Sequence, residues 1–135
     1  MNAKDRATRQ YIYDKNRLLL KDILAKVKKN HKWTKEDADY ADLWYRNFLW
    51  LCYLHRGRPV FGISARSDEL WHAHIVYTKR YRAASTKIFK KYMDHNPISG
   101  RPTVADKKRL AQSGKWYELE FGGLPVDFSN ICYFW

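Results

Sequence analysis

Residues 35–54 read KEDADYADLWYRNFLWLCYL, and this stretch decides the fold of the chain. Thr34 precedes it as a good N-cap, and Glu36 and Asp37 lie in the first turn, where carboxylates suit the positive end of a helix dipole. The second half of the stretch is apolar on every side, which is typical of a helix buried among other elements. We therefore expect a central helix around which the remainder of the chain packs.

Three further helices are predicted around this central helix. The first covers about residues 4–29, where apolar side chains recur at three- and four-residue steps. Another begins at Ser67 and runs to about Asp94, and the last begins after Thr103, with Gly114 interrupting or ending it. No alternation of apolar and polar residues is long enough to predict a strand. The sequence therefore predicts an all-α fold of about four helices with an aromatic C-terminal tail.

At 135 residues the chain can bury a core of its own, and we expect a single domain in three parts. Residues 1–32 form a basic N-terminal helix, residues 34–97 a core that carries the histidines, and residues 98–135 a C-terminal helix and tail. The longest apolar run, residues 48–54, is far shorter than the roughly 20 residues that a membrane span needs. The first ten residues are charged and do not resemble a signal peptide. We expect a cytoplasmic protein without membrane contact.

Positive charge is unevenly distributed along the chain. The net charge is +12, and residues 1–32 alone carry ten Lys and Arg against three Asp. Residues 65–95 carry seven Lys and Arg against three acidic residues. A basic face favours nucleic acid or another polyanion as a partner, but a solvated helix surface has the same composition. Besides the first helix, the candidate phosphate contacts are Lys79, Arg80, Arg82, Lys87, Lys90 and Lys91.

Residues 67–97 hold three of the five histidines, and acidic residues lie close to them in sequence. Asp68 and His72 are one helical turn apart, so they share a face and can bind one metal ion together. His72 and His74 are about 200° apart around a regular helix and cannot both bind that ion. His95 lies about 35 Å from His72 along a straight helix, so it can join them only if the helix breaks or folds back.

Each histidine also has a purely structural interpretation. His74 lies on an apolar helical stripe, where a histidine more often forms a hydrogen bond within the core than binds a metal. Asp68 and His72 can form an ion pair, and His95 suits the negative end of a helix.

His55 ends the central helix and is a more reachable third metal ligand than His95 if the central helix packs antiparallel to the helix that begins at Ser67, because the loop between these two helices is about ten residues long.

A family resemblance rests on YRNFL at residues 45–49, SDELWHAHI at residues 67–75 and DHNP at residues 94–97, with Thr78 and Tyr81 between the last two. Over about residues 40–97 the chain resembles the glycine-rich domain protein-like family, whose members share a W-H-x-H motif followed by Tyr and His. The resemblance implies a small helical domain whose motif residues act together, and it names no reaction. The motif positions are Asp68, Trp71, His72, His74, Tyr81 and His95.

Three hypotheses about function follow from these patterns. The first is a helical domain that holds a divalent metal, Zn or Fe, with candidate ligands Asp68, His72, His74 and His95 and candidate catalytic residues His72, His74 and Tyr81. The second is a basic protein that binds nucleic acid. The third is a structural or interaction module whose aromatic C-terminus, residues 131–135, docks on a partner protein.

The sequence contains no phosphate-binding glycine loop, nucleophile elbow or H-E-x-x-H motif, and it does not decide whether the protein is an enzyme.

Overall fold

The computed structural model describes residues 1–97 and 100–134, and the side chains of these residues except at positions 63, 97 and 129–134. Six helices make up most of the described chain, which confirms the all-α class but corrects the predicted number of about four. They are α1 (Ala3–Tyr13), α2 (Lys21–His31), α3 (Lys35–Leu54), α4 (Ala65–Val76), α5 (Thr78–Phe89) and α6 (Val104–Phe121). Three short strands that the sequence did not predict are β1 (Val60–Ser64), β2 (Asn96–Pro97) and β3 (Phe128–Phe134). Among the described residues, none of the helices combines the length and hydrophobicity of a membrane-spanning segment.

Helix α3 is the central helix, as its sequence predicts. The Thr34 hydroxyl accepts the N–H of Asp37, and the Asp37 carboxylate accepts the N–H of Thr34, so the start of the helix is capped from both sides. Helices α1, α2, α4 and α6 and strand β1 all pack against it. Its second half is buried on all sides, through Tyr45, Phe48, Leu49, Trp50, Leu51, Cys52 and Tyr53.

The predicted helix over residues 4–29 is wrong, because the chain breaks into α1 and α2. Asp14 ends α1, and its carboxylate accepts the N–H of Asn16 at 2.8 Å while its carbonyl accepts the N–H of Leu18 at 3.0 Å. Such a turn satisfies locally the backbone groups that a continuing helix would have paired. The connection between α1 and α2 therefore has its own hydrogen bonds.

The side chain of Arg46 fixes this connection to α3. Its guanidinium is buried and donates from Nε to the Asp42 carboxylate at 3.1 Å. The two terminal nitrogens donate to the carbonyls of Ile12 at 2.6 Å and Leu18 at 3.1 Å. One buried cation thus holds both ends of the connection and neutralises a buried carboxylate.

The predicted helix from Ser67 to about Asp94 is also wrong, because it is two helices. Tyr77 separates α4 from α5 with φ −80° and ψ 68°, outside the helical region. Helix α5 ends at Phe89, where Lys90 adopts a left-handed conformation with φ 62°. The chain therefore turns back before Asp94.

Strand β3 is the middle strand of a small antiparallel sheet in the order β1–β3–β2. Ser64 at the end of β1 lies opposite Phe128, and Asn96 in β2 lies opposite Tyr133. The segment that leads into α4 and the segment that follows α5 are therefore attached to the same strand.

The C-terminal part of the chain differs from its prediction at one glycine. Helix α6 continues through Gly114 and ends at Gly122, whose φ of 76° lies in the left-handed region that favours glycine. Of the predicted docking tail, residues 131–134 belong to β3, whose backbone pairs with strands on both sides. Trp135 lies outside the described residues.

Replacing Arg46 with Met is expected to lower the free energy of unfolding by about 3–5 kcal/mol, because the buried Asp42 carboxylate keeps only the distant Lys15 ammonium at 4.0 Å and two carbonyls lose their donor. Urea denaturation followed by tryptophan fluorescence measures the change. Lys35→Ala is the matched control, since it breaks an exposed pair with Asp39 (2.8 Å) and should leave stability nearly unchanged. An Arg46→Met variant as stable as the wild type would contradict this role.

Candidate metal centre

Asp68 and His72 of α4 meet His95 of the segment after α5, and we call these three residues the Asp/His cluster. The Nε2 atoms of His72 and His95 are 2.9 Å apart. The Nε2 atom of His95 lies 3.4 Å from Oδ1 of Asp68, and the Nε2 atom of His72 lies 3.5 Å from Oδ2. The potential ligand atoms of all three side chains thus face one another at short range.

Asp68 owes its position to the start of α4. The hydroxyl of Ser64 accepts the N–H of Ser67, so the helix begins at Ala65 rather than at the predicted Ser67. The hydroxyl of Ser67 donates instead to the carbonyl of Ala41 at 2.8 Å and so ties α4 to α3. Ser67 and Asp68 are therefore buried against α3 in the first turn of α4.

His95 owes its position to the hydroxyl of Tyr81. This hydroxyl accepts the indole N–H of Trp71 at 2.9 Å and donates to the carbonyl of Met93 at 2.6 Å. The His95 ring then packs on the Trp71 ring, with their centroids 4.2 Å apart. Asn96, the next residue, enters the sheet. The backbone is thus held on both sides of His95.

The cluster is buried at one end and open at the other. The side chain of Asp68 is 2% exposed, whereas that of His72 is 46% exposed. A buried carboxylate is stable only when it is paired, and either a protonated imidazole or a metal cation can pair with it. A cation at this position would keep coordination sites on the open side for water or another ligand.

The two imidazoles can meet in either of two ways. At 2.9 Å, one Nε2 can donate its proton to the other. Alternatively, both Nε2 atoms can direct lone pairs at a common cation, which requires that neither of them carries a proton. The geometry is compatible with a proton-sharing pair and with a metal site.

His74, predicted both as a ligand and as a catalytic residue, is not part of the cluster. Its Nδ1 lies 2.8 Å from the hydroxyl of Tyr45, and its ring makes edge contacts with Tyr45 and Tyr81. Burial, with lesser repulsion from Arg80 and Arg46, lowers the pKa of His74 to about 4. It is a neutral histidine of the core, which is the alternative interpretation of its apolar stripe.

Two other candidates from the sequence also lie elsewhere. His55 is not among the three residues of the cluster, and its ring stacks on Trp116 with centroids 3.8 Å apart. Tyr81 was predicted to be catalytic, but both hydrogen bonds of its hydroxyl join buried groups, and burial raises its pKa. Its structural contribution is to position the segment that carries His95.

The six basic residues predicted to contact phosphates are not equivalent. Arg80 forms two hydrogen bonds with the carboxylate of Asp22, at 2.7 and 3.0 Å, and a further one with the carbonyl of Leu19. Its charge is therefore already paired. The other five side chains are exposed: Lys79, Arg82, Lys87, Lys90 and Lys91.

Sequence reasoning named the three residues of the cluster but missed the connection that joins them. The break at Tyr77 has a weak signal, because the β-branched residues Ile75, Val76 and Thr78 around it lower helix propensity. The reversal at Lys90 has none, because the residue in the left-handed conformation is not a glycine. The hydrogen bonds of Tyr81 join distant segments and leave no local pattern.

Fold and site together define a mostly helical protein with a cluster of one carboxylate and two imidazoles that could hold a metal ion. The chain belongs to the UCP032817-like family, an uncharacterised family whose model matches residues 4–114. This range includes the whole Asp/His cluster. The resemblance to the glycine-rich domain protein-like family is therefore wrong as an assignment, since it rested on short motifs within about residues 40–97 whereas the family model matches residues 4–114. No curated protein and no solved structure gives a significant match to the chain.

Replacing Tyr81 with Phe is expected to lower the free energy of unfolding by about 1–3 kcal/mol, because the Trp71 indole N–H and the Met93 carbonyl both lose a buried partner. It should also speed amide hydrogen exchange at residues 93–96. Tyr92→Phe is the matched control, since Tyr92 is exposed. Unchanged exchange at these amides in Tyr81→Phe would show that Tyr81 does not position His95.

Acid should destabilise the metal-free protein partly through His74. Its pKa is about 4 in the folded chain and about 6.5 when unfolded, so between these values only the unfolded chain takes up the proton. Stability is therefore lost as the pH falls through this window. Between pH 7 and pH 5, His74→Gln should lose about 2 kcal/mol less than the wild type in urea unfolding with a chelator present. Equal losses would contradict a neutral, buried His74.

Proposed function

We propose that this protein binds one divalent metal ion, Zn²⁺ or Fe²⁺, through Asp68, His72 and His95. The supporting observation is the spacing of the ligand atoms. With metal–ligand bonds of about 2.0–2.1 Å, two ligands lie about 2.9 Å apart at a right angle and about 3.4 Å apart at the tetrahedral angle. The two Nε2 atoms are 2.9 Å apart, and they lie 3.4 and 3.5 Å from the two different carboxylate oxygens of Asp68. With one ligand atom from each residue, all three atoms lie within 4.8 Å of one another, which is a range that one ion can span after a small adjustment of the side chains.

The donor set supports these two metals over calcium or magnesium. Imidazole nitrogen is a ligand for zinc and iron, whereas calcium and magnesium prefer oxygen. Two histidines and one carboxylate occur in hydrolytic zinc sites and in iron(II) sites that activate oxygen. Both kinds of site keep positions for water or substrate, and the exposed edge of His72 gives such a position access to solvent.

The surroundings of the cluster favour a preorganised site. The His95 ring packs on Trp71, whose indole N–H is held by Tyr81, so two buried side chains restrict the imidazole. An imidazole whose orientation is already restricted loses less conformational freedom on binding, and this favours metal affinity. A metal ion held by these three residues would act as a Lewis acid on a water or carbonyl group bound at its open position.

The test is elemental analysis of tag-free protein, purified without chelators and passed through a sizing column. One zinc or iron ion per chain is expected, and Asp68→Asn, His72→Ala and His95→Ala should each lose it. His31→Ala is the matched control, because His31 is a half-exposed histidine that contacts Glu69 at 3.3 Å, apart from the cluster. Zinc at 100 times its dissociation constant should stabilise the apo-protein by about 2.7 kcal/mol, and the cluster variants should lose this gain.

A protein without metal whose unfolding does not respond to added Zn²⁺ or, under anaerobic conditions, Fe²⁺ would overturn the proposal. The cluster would then be a proton-sharing network of one carboxylate and two imidazoles. Loss of metal from His31→Ala to the same degree as from His95→Ala would also contradict the assigned ligands.

A further inference from the structure

A second surface carries chemistry that the Asp/His cluster does not use. Helix α1 packs against α5, and a groove of about 170 Å³ lies between them. We call it the basic groove. Its polar lining consists of Lys4, Thr8, Tyr11, Arg17, Lys87 and Lys90.

The charge of the basic groove is of one sign. Four cationic side chains line it, and no carboxylate is among the described lining residues. Lys87 has its ammonium group 6.0 Å above the Tyr11 ring, and Arg17 has its Nε 3.6 Å from Asp14 outside the groove. Like charges that line the same groove repel one another, and an anion bound between them relieves the repulsion.

The basic groove is elongated rather than round. A second cavity of about 170 Å³ shares Tyr11 and Arg17 with it and continues along α5 as far as Arg80. The distance from Lys90 to Arg80 is about 15 Å at the helical rise of 1.5 Å per residue. Arg80 is held by two hydrogen bonds to Asp22, whereas Arg17 has only an exposed contact of 3.6 Å with Asp14. Exposed pairs of this kind contribute little, so the available cations lie in the part lined by Lys4, Arg17, Lys87 and Lys90.

We propose that the basic groove binds the phosphate backbone of a single nucleic-acid strand. Lysines on two helices stand on opposite sides of an open track, which is the arrangement that follows a strand rather than one that encloses a small ligand. The axes of packed helices lie about 8–10 Å apart, so the depression between them admits one strand but not a duplex. This proposal does not depend on the metal site.

The cations that line the groove are only some of those that the sequence indicates. Arg80 and Lys87 are seven residues apart and share a face of α5, whereas Lys79 and Arg82 point to other faces. Lys79 and Arg82 therefore supply an internal control. Like Lys87, they are positively charged, exposed and part of α5, but they do not line the groove.

The experiment measures the anisotropy of a fluorescent oligothymidine titrated with the protein at about 50 mM salt and upward. With four phosphate contacts, the logarithm of the binding constant should fall with that of the salt concentration with a slope of about −3. Lys4→Glu/Lys87→Glu should weaken binding at least about tenfold. Lys79→Glu/Arg82→Glu changes the net charge equally and should weaken it clearly less. Circular dichroism checks that both variants fold.

Three outcomes would overturn the proposal. An equal loss of affinity in both double variants would assign binding to overall charge rather than to the groove. Absence of binding at the lowest salt concentration would exclude a nucleic-acid strand. Binding of sodium tripolyphosphate or of a duplex as tight as that of the single strand would show that the groove does not select a single strand.

Discussion

The hydroxyl of Tyr81 is the interaction on which the Asp/His cluster depends. It joins the Trp71 indole of α4 to the Met93 carbonyl of the returning segment, while Tyr81 itself belongs to α5. Residues 90–95 form neither helix nor strand, so no regular secondary structure fixes the course of their backbone. The hydrogen bond from Tyr81 supplies that constraint. A buried hydroxyl is costly unless both of its bonds are made. Here both bonds join different segments, so only the folded arrangement satisfies it, and that arrangement brings His95 to His72.

The parts of the fold that could be predicted are those that depend on neighbouring residues. Thr34 and Asp37 form their capping box within one turn, and the spacing of Asp68 and His72 alone places them on one helical face. The fold-back could not be predicted, because the left-handed residue is Lys90 rather than glycine. The sheet was missed for another reason. Residues 60–64 pair with residues 128–134, and such pairing depends on a distant partner rather than on a local pattern.

The two histidines of the W-H-x-H motif show how helix geometry separates chemical roles. His72 and His74 are two residues apart in sequence, yet one faces solvent and the other faces the core. Their ring nitrogens accordingly meet different partners, a second imidazole in one case and a tyrosine hydroxyl in the other. Burial keeps His74 neutral. A motif written as a string of letters treats the two alike, whereas the 100° turn per residue sets them apart.

The position of β3 in the sheet has a consequence for how the protein is made. Phe128 follows His95 by 33 residues, so all three cluster residues leave the ribosome before the strand to which their segments attach. Until then, β1 and β2 have backbone groups without partners, and such edges invite pairing with other chains. Pairing over such distances in sequence is intrinsically slow. A nascent chain that ends before residue 128 is therefore expected to aggregate more readily than the full chain, because these edges stay open.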